Sequence, residues 1–405
     1  MIEKIEQLDG NKRQHKLLKK QLYIFYLLFL VWFFGNCNVI AKTGTQGDYP
    51  VYLQWWKNIS TGGNPYDVNI PYGPLHSQLS NLLTYGDLAP KYFMFTFFSI
   101  GIFFLIRNIL LKAYSYKVIF IIILLVPLNF YVINMTSIYG ENDTIIAGLM
   151  CFVLLAKFSN RSLLAGLLFG LLLLFKMTPI LLVIFLGIEK NKINIKFVLT
   201  SIAVTVWGYG ITMINYGVFK VLHSIVQSAH ATSSMLTPLE SLRFLYYEHP
   251  KEYSSHFPLL YIKYLTHTLI LFDPIFVIAV SALFALIYVK CSLDWQKITP
   301  VAFLCIISTY SMVNPQYFLS WIVFLIGILV YRDCDKLVIN YLPIVFFLEI
   351  YQFGFFVTHS YSTSFSFLYR NGGLFFFPIM IFTTLRALCI LDTVPFKNLR
   401  KYLIL

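Results

Sequence analysis

This sequence is poor in charge. Asp, Glu, Lys and Arg make up only 12% of its 405 residues, against 58% hydrophobic residues and a mean hydropathy of +0.71. A water-soluble domain is normally about one-quarter charged, so this surface is too apolar for water. Cysteine is also sparse: Cys37, Cys151, Cys291, Cys305, Cys334 and Cys389 are scattered, mostly in or beside apolar runs. They show no CxxC or Cys/His spacing, which excludes a zinc module and a disulfide framework and leaves them as small core residues. His223, His230, His249, His256 and His359 lack metal-ligand spacing as well. No fixed-period repeat and no low-complexity linker divides the chain.

Apolar runs are abundant, many of them near the ~20 residues that cross a bilayer. The expected fold class is an all-α polytopic membrane protein. A single transmembrane domain covers residues 1–405, with about 10–12 membrane segments that include a broken hairpin.

The formal charge of +13 would suit nucleic acid if it were gathered in a folded basic domain. Instead the cations sit in short clusters between apolar runs, where they act as topology signals. Nucleic acid is therefore excluded as a partner, and the lipid bilayer is the expected surroundings. No convincing cleavage pattern follows the first apolar run, so it reads as a retained helix behind a basic cytoplasmic segment, residues 1–21. Threading from there keeps both termini cytoplasmic.

The run "SLLAGLLFGLLLLFKMTPILLVIFLGI" is long enough to cross once. A single crossing would put the basic stretch after it on the outer face. A hairpin of two short helices broken at Lys176-Met177-Thr178-Pro179 keeps that stretch inside, since proline bends a helix and irregular backbone is tolerated beside a wet cavity. With this choice the cytoplasmic connections are short and basic. The outer loops are longer and aromatic, so the working face is outside (periplasmic, extracellular or luminal).

The longest early polar stretch, within residues 41–89, holds Asp48 followed by Tyr49, Tyr52, Trp55 and Trp56. Positions 49, 52 and 56 share a face at helical spacing, although membrane-interface belts have the same composition. Gly and Pro in "GGNPY" and "IPYGPL" fix turns. An acid, aromatic faces and a rigid frame together suit sugar recognition.

Ordered motifs sharpen this reading. Asp48-Tyr49-Pro50-Val51, Gly63-Asn64-Pro65-Tyr66 and Tyr72-Gly73-Pro74-Leu75 resemble the first luminal loop of GPI mannosyltransferase I. They are similar also to a prokaryotic family of polyprenyl-phosphate-mannose-dependent mannosyltransferases. "YGEND" (139–143), "LAGLLFGLLLLFKMTP" and "NPQYFLSW" (314–321) resemble further elements of those families, in the same order over most of the chain. The resemblance implies a GT-C-like glycosyltransferase, with residues 41–89 as its catalytic outer loop. It also implies a polyprenyl- or dolichyl-phosphate sugar donor and a glycolipid, glycan or glycoprotein acceptor.

The family's first-loop acid is its catalytic base, which places that role on Asp48. The GPI enzyme carries Asp-x-Asp at this point, whereas Gln46 stands in place of the first acid here. That disfavours a divalent cation, and no cofactor or metal is expected. An inverting transfer needs a base for the acceptor hydroxyl. A lipid phosphate leaves as a stable anion and needs nearby positive charge more than an acid.

Lys176 suits that need, because a cation inside an apolar run usually faces a polar cavity; the alternative is a lysine snorkelling from a helix end. Arg243 and Arg370 are the other candidate phosphate partners. Glu141 and Asp143 either complement a helix N-terminus or bind acceptor hydroxyls or a cation. Gln316 and Tyr317 either anchor a turn at the interface or touch sugar, and Tyr49, Tyr52, Asn64 and Tyr72 complete the candidate sugar and acceptor contacts. The rival reading is a secondary transporter or flippase with Lys176 and the acids along its path. Only one broken helix is visible, whereas transporters often carry a counterpart in the other half.

Overall fold

In the computed structural model the described residues are 2–67, 72–112, 115–189, 192–228, 273–291, 293–309, 315–331, 334–361 and 372–391. Almost all of them are helical. The first ten helices are α1 (Ile2–Thr43), α2 (Tyr49–Ser60), α3 (Pro74–Ser77), α4 (Ala89–Lys112), α5 (Tyr116–Leu125), α6 (Phe130–Ile133), α7 (Asp143–Phe158), α8 (Ser162–Phe175), α9 (Leu182–Gly187) and α10 (Ile195–Tyr216). They are followed by α11 (Val218–Ser228), α12 (Asp273–Lys290), α13 (Trp295–Thr309), α14 (Phe318–Ile328), α15 (Asp335–Tyr361) and α16 (Gly372–Ile390).

Among the described residues, five helical stretches are long and apolar enough to cross a membrane, or six if the bent α5–α6 pair counts as one span. The chain is thus an all-α polytopic membrane protein. Its exposed apolar side chains, such as Leu27, Phe104, Trp207 and Phe353, are those expected where the surroundings are lipid.

Helix α7 lies at the centre. Nearly every side is covered, with α4, α8 and α14 packed around it. Close backbone approach explains part of this: a Cβ at Gly148 would sit 2.8 Å from the Phe97 ring, and one at Gly101 would sit 2.8 Å from the Gly148 carbonyl. Small residues let membrane helices meet in this way. The ends of α7 carry opposite charges, Asp143 at the N-terminus and Lys157 in the last turn, each complementing the helix dipole.

After α8 the chain doubles back. The helix ends at Lys176, whose backbone is extended (φ −159°, ψ 131°). A 3₁₀ turn, Thr178–Leu181, and α9 then run the other way. Lys157 donates to the Leu186 carbonyl at 2.7 Å and pairs with Glu189, while Asn194 donates to the Ser162 hydroxyl at 2.7 Å. Both flanks of the excursion therefore meet at one end of the bundle, with Lys176 at its far tip. A two-stranded antiparallel pairing, Ile188 with Ile193 and Glu189 with Lys192, closes the return.

A second break matters for the site. Pro127 removes a donor where α5 gives way to α6, and the two segments bend by 45°. Residues Asn134–Ile138 then form a π-type turn, fully buried. Single π turns often sit at functional sites.

Candidate functional site

The polar centre forms where residues 44–77, the π turn with its "YGEND" sequel, and the tip after α8 converge. Gly44 ends α1 at φ +61°, its amide bonding back to Ile40 at 3.0 Å. Gly47 (φ +62°) comes so near the Tyr139 ring that a Cβ would sit 2.6 Å away. Only glycine accepts both that backbone conformation and that contact, so Asp48 is delivered beside the 139–143 segment.

Asp48 begins α2 yet makes no capping bond to it. Its residue surface is exposed, and its carboxylate is uncommitted to its own helix. The surrounding protein still removes much of its hydration. That burial pushes its carboxyl above the usual carboxylate range, while the Lys176 charge opposes the rise.

The aromatic face of α2 does not lie open. Tyr49, Tyr52, Trp55 and Trp56 are all buried. Tyr49 donates to the Asp87 carbonyl at 2.7 Å, Trp55 to Pro65 at 3.1 Å and Trp56 to His76 at 3.0 Å. These rings fasten α2 to the rest of the 41–89 region, which is largely helical. Tyr52 alone turns to the acids, donating to Glu141 Oε2 at 2.8 Å and accepting from Tyr72 at 3.1 Å. Burial and the Asp48 charge push the Glu141 carboxyl well up, and the bond from Tyr52 acts against them.

Lys176 is buried, as is Asp143, and the two pair at 2.7 Å. The ammonium also lies 4.2 Å from the centre of the Tyr317 ring and 5.7 Å from that of Tyr72, within cation–π range. Gln316 and Tyr317 form a buried 3₁₀ turn with Pro315, whose carbonyl accepts from the Tyr131 hydroxyl. Tyr72 is aimed by Gly73: its amide bonds to Phe175 O at 2.9 Å, and a Cβ there would stand 2.2 Å from Leu174 O.

Lys176, Asp143, Glu141, Tyr52, Tyr72 and Tyr317 thus converge, with Gln316 in the same buried turn as Tyr317 and Asp48 at the accessible edge. Tyr49 is set apart by its bond to Asp87, and Asn64 accepts from the Tyr66 amide at 2.9 Å, serving the turn. Arg243 and Arg370 lie outside the described residues. Among the described residues no group of three or more His, Cys, Asp or Glu is placed to hold a metal ion.

Two residues of the site went unread in the sequence. His76 is fully buried with neither ring nitrogen bonded, stacked on Trp55 and with its ring centre 4.4 Å from that of Tyr72. Burial, then the Lys176 charge, pushes its imidazole well below its ordinary range, so it is a neutral packing surface. Its signal was the i,i+4 spacing to Tyr72. The other is Lys91, a cation at the opposite end of α4 from Arg107 and Lys112, which departs from the clustering of basic residues at one membrane face.

A family model described as glycosyltransferase family 87 matches residues 71–309, more than half of the chain. No curated protein and no solved structure matches. The matched stretch includes Tyr72, Glu141, Asp143 and Lys176 and begins after Asp48.

Proposed function

Because the chain belongs to glycosyltransferase family 87, making it a membrane glycosyltransferase, we propose that it moves a hexose from a lipid phosphate. The donor is a polyprenyl- or dolichyl-phosphate sugar, with mannose the favoured hexose from the motif resemblance. The acceptor is a glycolipid, glycan or glycoprotein at the outer face.

The observation that carries this reading is one charge arrangement. A buried ammonium, Lys176, sits at the tip of a broken membrane helix, and an accessible acid, Asp48, borders the same polar centre. A lipid-linked phosphate comes from the bilayer, so its binding cation belongs at the margin of the apolar bundle, and a broken helix supplies that position. In the transfer the acceptor hydroxyl gives its proton to Asp48 as its oxygen attacks the anomeric carbon. The bond from that carbon to the phosphate oxygen breaks, and the electron pair leaves with the lipid phosphate. Attack opposite the leaving group inverts the anomeric centre.

Lys176 stabilises the negative charge that builds on the departing phosphate. Asp143 holds the ammonium in place, and the rings of Tyr72 and Tyr317 shield it from water. Glu141, steadied by Tyr52, with Asp143 and Gln316 as neighbours, offers acceptors for sugar hydroxyls. Arg243 and Arg370 remain proposed phosphate partners, Tyr49 and Asn64 support the loop that presents Asp48, and no metal is assigned a step.

A donor panel tests this reading. Purified protein in lipid nanodiscs is incubated with polyprenyl-phosphate hexoses and, separately, nucleotide hexoses, together with glycolipid acceptors. Hexose transfer from the lipid phosphates alone is expected. Transfer from nucleotide sugars alone would overturn the proposed donor class.

A further inference from the structure

Lys91 is fully buried near the start of α4. Its ammonium donates to Gly44 O at 2.8 Å and to Ile138 O at 2.5 Å, and stands 5.5 Å from the centre of the Tyr49 ring. Both carbonyls terminate helical segments, Gly44 just past α1 and Ile138 at the end of the π turn, where backbone dipoles leave partial negative charge. No carboxylate lies within ion-pairing distance of it among the described residues. Gly140, at φ +63°, leaves room for its stem: a Cβ there would sit 2.6 Å from Lys91 Cγ.

The two tethered carbonyls lie just before the two acids nearest the accessible edge. Asp48 follows Gly44 by four residues, and Glu141 follows Ile138 by three. One side chain from a third element therefore ties both acid-bearing segments together, with the Tyr49 ring of α2 beneath it. A buried ammonium is an expensive tie, since desolvating it costs far more than an apolar filler of similar length. Its charge is what such a filler would lack, and that charge reaches Glu141.

We propose that Lys91 is a positioning residue for the transfer site: it sets the spacing of the Asp48 and Glu141 segments and supplies positive charge beside Glu141. The proposal rests on the reading of Asp48 as base, and its test separates the two.

Full-length Lys91→Met, Lys91→Gln and Lys91→Arg are compared with wild type and Asp48→Asn in nanodiscs. Amide exchange without substrate reads the tie. In Lys91→Met, peptides covering 44–52 and 134–143 should both exchange at least about tenfold faster, with α7 and α8 unchanged. Lys91→Gln keeps a donor but no charge and serves if the Met variant does not fold.

Kinetics read the charge. The groups facing Lys91 are the Tyr49 ring and Glu141. Losing a cation there makes carboxylate ionisation harder, so the acidic limb of kcat/KM should move to higher pH in Lys91→Met and Lys91→Gln and stay in place in Lys91→Arg. Unchanged exchange in both segments would overturn the proposal. So would activity that falls only with the folded fraction while the pH profile stays fixed. Full turnover by Asp48→Asn would sink the base assignment alone, leaving exchange to decide the role of Lys91.

Discussion

Replacing Lys176 with Met asks whether its charge serves the departing phosphate or only Asp143. Attraction across 2.7 Å amounts to about 6 kcal/mol at an effective dielectric of about 20, and desolvation of both ions offsets most of it. The loss on substitution is therefore set by the acid left behind. Asp143 is only 3% exposed, and removing one partner of a buried ion pair costs about 3–5 kcal/mol. Lys176→Met should lower the unfolding midpoint sharply. Replacing both partners, Lys176→Met with Asp143→Leu, removes both buried charges and should recover stability to within about 1 kcal/mol of wild type. Turnover should not recover with it, because one preorganised charge in a water-poor site contributes about 100- to 1,000-fold to rate. Thermal unfolding followed by size exclusion, paired with lipid-phosphate-sugar turnover, separates the two effects. A double variant that regains both stability and turnover would refute the phosphate role and leave Lys176 as a counter-ion.

Gly73→Ala should cost about 1–3 kcal/mol through overpacking, because its Cβ would meet a backbone carbonyl at 2.2 Å; unfolding midpoints check it, and the displaced Tyr72 should raise KM for the donor. Tyr52→Phe removes the donor to Glu141 and should cost about 1–3 kcal/mol, with Tyr72→Phe milder because it leaves that bond in place. Burial raises the Asp48 carboxyl, and the base works ionised, so activity should rise with pH through a midpoint above the ordinary carboxylate value of about 3.9. The same shift means that folding disfavours ionised Asp48. Asp48→Asn should therefore be at least as stable as wild type at neutral pH, with the difference vanishing below the unfolded value; unfolding midpoints across pH measure this.

Hydropathy made the membrane class legible because bilayer thickness dictates the length of apolar runs, and Lys176 with Pro179 marked one break inside such a run, while the break at Pro127 went unread. Charge placement also suggested that the chain turns back there, and the contacts of Lys157 with Glu189 and of Asn194 with Ser162 show the turn. The aromatic spacing of α2 was readable, yet its meaning was not: Tyr49, Trp55 and Trp56 look alike in sequence whether they face sugar, lipid or protein, and only their bonds to Asp87, Pro65 and His76 decide for protein. The pairing of Lys176 with Asp143 joins residues 33 positions apart, a relation that no local periodicity encodes. Lys91 went unread, because its role depends on two carbonyls from distant segments. Asp48 stands outside the family match, so its place in the site rests on motif order together with the glycine-directed approach of Gly47 to Tyr139.

The central claim is that Asp48 takes the acceptor proton. Its most direct measurement is single-turnover hexose transfer by purified Asp48→Asn, loaded with lipid-phosphate sugar and acceptor and shown to be folded by an unfolding midpoint no lower than wild type. Loss of at least about a hundredfold in rate with donor binding retained is the expected result for a missing general base. Transfer at the wild-type rate by that folded variant would contradict it.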